Sequence, residues 1–164
     1  MDLGIWNFWN CELYTMEYTH LLEQTKLICS SFFSLLGRDL VLGSTPEEKA
    51  HVLYHAPFVV VAHNTDADPI FFYANLTAQK LWGLSWEEFI QTPSKYTVEP
   101  MEVSERQKLL DRARTYGYVD DYTGIRRRKD GSKFEIGTTI LWNLKNAQGE
   151  YAGQAATFGE WKEL

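Results

Sequence analysis

Residues 70–90, IFFYANLTAQKLWGLSWEEFI, combine an aromatic run with two very short helical patterns and almost no chain between them. The run before Asn75 favours a strand, and Asn is a residue type that caps helices. Leu76–Trp82 has helical spacing and is followed by Gly83, a residue type that ends helices by taking left-handed backbone angles. The Ser-Trp-Glu-Glu run after it has the spacing of a capping box. The sequence therefore predicts a strand and two short helices in this one stretch.

Two longer helices are predicted before this stretch. Residues 11–36 place large apolar side chains at three- and four-residue spacing, and Gly37 is suited to the position beyond the helix end. A second helix has Thr45 as its N-cap and Glu48 in the position of a capping box, and it ends before Pro57.

Strands are predicted on both sides of the short helices, and a charged helix over residues 101–116 precedes the last three strands. Because the strands form an opening pair and a closing run, we expect an α+β fold with a five-stranded antiparallel sheet and short helices on one face. The strand at residues 133–144 alternates, which predicts that six of its residues share one face. These are Phe134, Ile136, Thr138, Ile140, Trp142 and Leu144.

This order of elements resembles that of a PAS domain. Residues 55–101, HAPFVVVAHNTDADPIFFYANLTAQKLWGLSWEEFIQTPSKYTVEPM, and residues 116–131, YGYVDDYTGIRRRKDG, are similar to the MEKHLA domain. That PAS-related module ends plant class III homeodomain–leucine-zipper proteins and also occurs alone in bacteria and algae. The resemblance covers nearly the whole chain and implies a sensory or interaction module of the stand-alone type. No homeodomain or zipper is recognised here, so DNA binding is not implied.

The chain is expected to form one compact domain with two parts. Residues 1–56 are predicted to be a helical extension that caps the sheet or mediates dimerisation, and residues 57–164 are predicted to be the PAS-like MEKHLA core. The apolar first helix has two interpretations that remain open, because it can cover the sheet of its own chain or pack across a dimer axis.

Composition limits the partners and the compartment. The chain has 164 residues and a formal charge of -6, which argues against nucleic acid as its main partner. No apolar run is long enough to cross a membrane, and the first residues do not resemble a secretory signal. Cys11 and Cys29 match no disulfide framework. We expect a cytoplasmic protein whose partners are a second copy, another protein or a small molecule.

The candidate site is a cleft between the helices and the sheet. Trp82, Phe89, Tyr122 and Trp142 are predicted to line it, and Gln154 lies on the last strand about where blue-light PAS domains place a flavin-contacting Gln. The alternative is an ordinary core in which these bulky residues fill the space. The sequence therefore leaves open a ligand-sensing module and a pure interaction or dimerisation module with a filled core.

No catalytic or metal-binding residues are predicted. His51 and His55 have helical spacing for a shared metal, but no third ligand is evident, and two exposed histidines are the simpler interpretation. Residues 75–116 contain neither His nor Cys, which argues against the usual haem site and against a flavin–cysteine adduct. Non-covalent flavin binding at Gln154 remains a remote alternative. The basic run at residues 126–129 is interpreted as a solvated hairpin edge.

Overall fold

The structure is a computed structural model that describes the backbone of residues 8–101 and 103–164 and the side chains of residues 16–101 and 104–164. Cys11 lies outside the described side chains. The elements in chain order are α1 (Phe8–Leu36), α2 (Pro46–Tyr54), β1 (Val59–His63), β2 (Phe71–Ala74), α3 (Leu76–Trp82), α4 (Trp86–Phe89), a short 3₁₀ helix (Ser94–Thr97), α5 (Val103–Tyr116), β3 (Tyr118–Arg127), β4 (Lys133–Lys145), β5 (Tyr151–Phe158) and β6 (Trp161–Glu163).

The strands form one antiparallel sheet in the order β2-β1-β5-β4-β3. This confirms the predicted α+β fold with five antiparallel strands in the main order. The structure adds a short sixth strand, β6, which the sequence analysis did not predict and which pairs with the first half of β4. All three residues of β6 are exposed, so the strand has no alternation of buried and exposed positions that its sequence could reveal.

Both faces of the sheet are covered, and each has its own apolar core. The helix-side core, which contains residues of α3 and α4, consists of Val59, Val61, Phe71, Ala74, Ala78, Leu81, Trp82, Phe89, Phe134, Ile136 and Phe158. The α1-side core consists of Ile28, Cys29, Phe32, Val41, Leu53, Val60, Ala62, Tyr73, Trp142, Leu144 and Ala155. Successive residues of β1 therefore enter opposite cores, as expected for a strand buried on both faces.

The second half of α1 lies on the sheet of its own chain. The Phe32 ring packs edge-on against Trp142, with 4.9 Å between the ring centroids. The indole Nε1 of Trp142 donates a hydrogen bond to the Ile28 carbonyl at 3.2 Å. Ser31 Oγ accepts from the Lys145 amide at 3.0 Å, so a hydroxyl of the helix satisfies a backbone group of β4. Residues 16–20 of the same helix are exposed on every side.

The prediction that alternate residues of β4 share one face is wrong. Phe134 and Ile136 enter the helix-side core, whereas Trp142 and Leu144 enter the α1-side core. The alternation of side chains between the two faces therefore shifts by one residue within β4, between Ile136 and the fully buried Thr139. Because α1 covers the second half of this strand, both faces of β4 present apolar residues, and alternation alone does not reveal where the phase changes.

The side chain of Asn75 bonds four backbone groups from α2, the start of β1 and α3. Its side-chain oxygen accepts from the amides of Ala78 and Val60 at 3.2 and 3.0 Å, which caps α3 and completes the pairing of β1. Its amide nitrogen donates to the carbonyls of Leu53 and Phe58 at 3.2 and 2.8 Å. All four hydrogen-bonding positions of this buried amide are therefore used.

The other predicted helix ends are mostly confirmed. Gly83 takes a φ of 71° and ends α3, and Ser85 and Glu88 form the complete capping box that starts α4. At α2, the Thr45 hydroxyl accepts from the Glu48 amide as predicted. The Glu48 carboxylate, however, accepts from the Ser44 amide at 2.7 Å instead of the Thr45 amide, so this capping box is incomplete.

Candidate functional site

The face of the sheet that α3 and α4 cover carries a group of four aromatic residues around the end of α3, which we call the aromatic cluster. Its members are Trp82, Phe89, Phe134 and Phe158. The Trp82 ring centroid lies 5.9 Å from that of Phe89, 5.2 Å from that of Phe134 and 6.1 Å from that of Phe158, each in an edge-to-face arrangement. All four side chains are buried. Edge-to-face packing at these distances leaves no room for a further ring among them.

The aromatic cluster is positioned by the short helices that the sequence predicts. Gly83 stops α3 directly after Trp82, and the capping box of α4 fixes the turn that carries Phe89. The indole Nε1 of Trp82 is buried and has no hydrogen-bond partner among the described residues. This N–H lowers the stability of the cluster, since a buried donor without a partner loses its hydration.

Three half-buried polar residues lie side by side on the same face of the sheet, away from the aromatic cluster, and we call them the polar row. They are His63 on β1, Gln154 on β5 and Asn143 on β4. They are cross-strand neighbours in register. Gln154 Nε2 donates to Asn143 Oδ1 at 3.4 Å, and Asn143 Nδ2 donates to the Ala113 carbonyl of α5 at 3.1 Å. Sequence reasoning singled out Gln154 alone. His63 and Asn143 could have been found as polar residues in otherwise apolar strands, at the end of β1 and within β4.

Helix α5 covers the polar row only loosely. Among its described side chains, only Ala113 is buried and Leu109 is half-buried. An exposed ion pair joins Arg112 Nη2 to Asp121 Oδ1 of β3 at 2.7 Å, and exposed pairs of this kind contribute little to stability. This part of the face is therefore more accessible than the aromatic cluster.

Burial is the main influence on His63 and lowers the pKa of its imidazole below the usual value, while hydrogen bonds with the Asn64 carbonyl and Gln154 act in the opposite direction. The unfolded chain therefore binds a proton at His63 more readily than the folded chain. Consequently the contribution of His63 to the free energy of unfolding is most favourable above the usual His pKa of about 6.5 and declines as the pH drops from there toward the lower folded-state pKa.

We expect His63→Gln to reduce this loss of stability on acidification. Urea denaturation at a series of pH values on either side of the usual His pKa measures it, with His20→Gln as the matched control because His20 is exposed on α1. An equal loss of stability in wild type and His63→Gln would show that another group causes the acid sensitivity.

The structure divides the five predicted site residues between the two faces of the sheet. Trp82 and Phe89 belong to the aromatic cluster, Tyr122 packs beside the same core, and Gln154 lies in the polar row. Trp142 is on the opposite face, under α1. A single cleft lined by all five is therefore not formed, because the change of phase in β4 turns Trp142 away from the short helices.

The basic run at residues 126–129 is largely neutralised within the chain. Three of its residues form ion pairs, and Arg126 lies over the ring of Tyr122. The pairs are Arg127 with Glu99, Arg128 with Glu163 and Lys129 with Glu88. Their partners support the interpretation of this run as a hairpin edge and leave little free charge for an anionic ligand.

Within the described part of the N-terminal helices, the histidines and Cys29 form no recognisable reactive centre. The rings of His51 and His55 lie 4.5 Å apart on the surface of α2, and no group of three or more potential metal ligands occurs among the described residues. Burial raises the pKa of Cys29 to about 11, so its thiol stays protonated and unreactive. None of the described helices has the length and apolar character needed to span a membrane.

Comparison with solved structures identifies the fold. The PAS domain of a protein from Colwellia psychrerythraea is 14% identical, with a TM-score of 0.58 and coverage of 72% of this chain and 95% of that chain. A light-oxygen-voltage domain structure concerned with a flavin analogue is 16% identical, with a TM-score of 0.53 and coverage of 70% and 83%. The photo-excited blue-light photoreceptor Vivid is 15% identical, with a TM-score of 0.55 and coverage of 81% and 94%. Likeness at this level of identity establishes the fold alone.

Comparison with family models and curated sequences gives two further results. The family model of the MEKHLA domain matches residues 22–163. No curated protein matches the chain.

Proposed function

The chain belongs to the MEKHLA domain family and has a PAS-like fold, and from this premise we propose that it is a non-enzymatic signalling module that acts by contacting another protein. The observation that carries this proposal is the aromatic cluster. A pocket for a small molecule typically has a volume of roughly 300–1,000 Å³, and here the space between α3, α4 and the sheet is occupied by the protein's own rings.

A ligand could enter this part of the fold only by displacing Trp82. Removing a buried Trp from its contacts costs about 3–5 kcal/mol, which the ligand would have to offset before it gained any affinity. Contact with a partner requires no such displacement, because it uses the outer surface of the molecule.

Residues 16–20 of α1 are the surface we assign to self-association or to a protein partner. Met16 and Tyr18 are large apolar side chains with 70% and 46% of their surface exposed. A helix segment that exposes such residues is suited to packing against a second helix. In this respect α1 combines the two interpretations from the sequence, since its second half covers the sheet while residues 16–20 are exposed.

The proposal predicts that the purified protein is colourless beyond the absorption band of its aromatic residues. Added FMN is expected to leave the melting temperature unchanged, because a ligand that binds the folded state raises it by mass action. An absorbance spectrum and a thermal denaturation series with and without FMN measure both quantities. A chromophore that copurifies with the protein, or stabilisation that saturates with FMN concentration, would contradict a filled interior.

Non-covalent binding of a flavin is a second candidate function, and the polar row supports it. The side-chain amides of Gln154 and Asn143 are half-buried beneath a loosely packed helix, and amides of this kind recognise the polar edge of a heterocycle. If this function is the correct one, FMN fluorescence changes on mixing with the protein, and Gln154→Leu weakens the change. Gln148→Leu, on the exposed β4–β5 turn, is the control substitution.

A further inference from the structure

The backbone of β6 is paired on one side only. Leu164 N–H donates to the Lys133 carbonyl at 3.2 Å, and Gly137 N–H donates to the Glu160 carbonyl at 2.8 Å. In an antiparallel pair of strands, residues that exchange backbone hydrogen bonds alternate with residues that do not. Lys162, midway between Glu160 and Leu164, is therefore the residue of β6 whose N–H and C=O face β4.

The backbone groups of Trp161 and Glu163 consequently point away from β4. In the sheet β6 pairs with β4 alone, and no hydrogen bond within the described part of the chain uses these outward N–H and C=O groups. An unpaired strand edge of this kind can accept a further strand from another molecule.

An open groove of about 390 Å³ lies beside this edge. Thr77, Lys80 and Leu81 of α3 form one wall, and Arg128 and Trp161 complete it. Trp161 keeps 37% of its surface exposed although it is the largest residue of the strand. The groove therefore offers an indole and a leucine to an apolar side chain that approaches along the edge of β6.

The charge in the groove is positive and only partly neutralised. Arg128 donates from Nη2 to Glu163 at 2.7 Å and from Nε to the Leu81 carbonyl at 2.7 Å. Lys80 is exposed and forms no ion pair with any described residue. A carboxylate on a bound segment would find an unpaired ammonium group here, whereas a basic segment would be repelled.

We propose that the groove and the outer edge of β6 bind an extended segment of a partner protein in which an apolar and an acidic residue stand two positions apart, so that both side chains face the groove. The segment would add a strand to β6 through the backbone of Trp161 and Glu163, place apolar side chains against Trp161 and direct a carboxylate to Lys80. This inference rests on the proposed function, since it names the surface and the kind of partner through which the module makes contact.

The probe is a capped valine–glutamate peptide with the repeat Val-Ser-Glu-Ser, which places valine and glutamate on one face of a strand. A valine–lysine peptide of the same length, with lysine in place of glutamate, is its counterpart. Titration into isotope-labelled protein is expected to shift the backbone amide signals of Trp161 and Glu163 and to slow their hydrogen exchange, because these N–H groups gain acceptors. The valine–lysine peptide is expected to produce no shift, and Lys80→Glu is expected to reverse this preference. Lys26→Glu, an exposed charge reversal on α1, is the control.

Two substitutions at one position separate strand addition from side-chain contact. Glu163→Pro removes the outward N–H but leaves the pairing of Lys162 with β4, whereas Glu163→Ala keeps that N–H and removes the same carboxylate. We expect the proline variant to bind the valine–glutamate peptide roughly tenfold more weakly than the alanine variant. Equal affinity of the two variants, shifts that map to the polar row, or no binding of either peptide would each overturn the inference. Such a result would leave the proposed function intact, because that is tested by the absence of a bound chromophore.

Discussion

Trp82→Ala is expected to lower the free energy of unfolding by about 3–5 kcal/mol, one of the two largest effects of any substitution considered for this protein. The indole is the centre of the aromatic cluster, in edge-to-face contact with Phe89, Phe134 and Phe158. Its removal leaves a cavity lined by rings that cannot move together without disturbing α3 and the sheet, so most of the lost contacts are not recovered.

Chemical denaturation measures this effect, and two variants make it specific. Trp82→Phe keeps most of the ring contacts and removes the buried N–H that has no partner among the described residues, so it is expected to cost less than about 1.5 kcal/mol. Trp161→Ala, at the exposed groove, is expected to cost less than about 1 kcal/mol. Similar losses for Trp82→Ala and Trp161→Ala would mean that the aromatic cluster is not tightly packed. Added indole is expected to stabilise Trp82→Ala but not wild type, since a dry cavity of this shape binds a small aromatic molecule.

Asn75→Ala is expected to cost about 4 kcal/mol of folding free energy, because it leaves several buried backbone groups without partners. The amides of Val60 and Ala78 lose their acceptor, and the carbonyls of Leu53 and Phe58 lose their donor. A buried group that loses its partner retains the desolvation penalty without any compensating bond, so the effect exceeds that of an ordinary helix cap.

The matched control for this substitution is Asn146→Ala. Asn146 also accepts two backbone hydrogen bonds, from Gln148 and Glu150, but it does so in the β4–β5 turn, where water can replace it. We expect a loss of about 1 kcal/mol there. Urea denaturation of both variants gives the comparison, and equal losses would show that Asn75 acts as a cap alone.

The sequence predicted those parts of the fold that depend on interactions between residues close together in the chain. Asn75, Gly83 and the Ser85–Glu88 pair act within a few residues of their partners, and their roles follow from backbone geometry that any chain shares. The same kind of local reasoning placed the helix ends and the strands along the chain, but not the order of the strands within the sheet. The additional contacts of Asn75 with Leu53 and Val60 were beyond it, because they depend on segments that only the tertiary fold brings together.

The parts that could not be predicted depend on what covers each surface. The alternation in β4 gave no indication that Ile136 and Trp142 face opposite layers, because both layers are apolar. β6 has three exposed residues and no pattern of its own. The polar row joins residues of three strands, and only the register of β1, β5 and β4 brings His63 and Asn143 to the two sides of Gln154.

The contact between α1 and Trp142 has a consequence for how the chain can be shortened. A fragment that began at Pro57 would lose Phe32 and the Ile28 carbonyl together, and it would present the indole and Leu144 to water as an apolar surface. Such a fragment is expected to self-associate or aggregate through that newly bared surface, even though it retains every strand. The smallest piece of this protein that behaves as an independent unit in solution should therefore include the second half of α1.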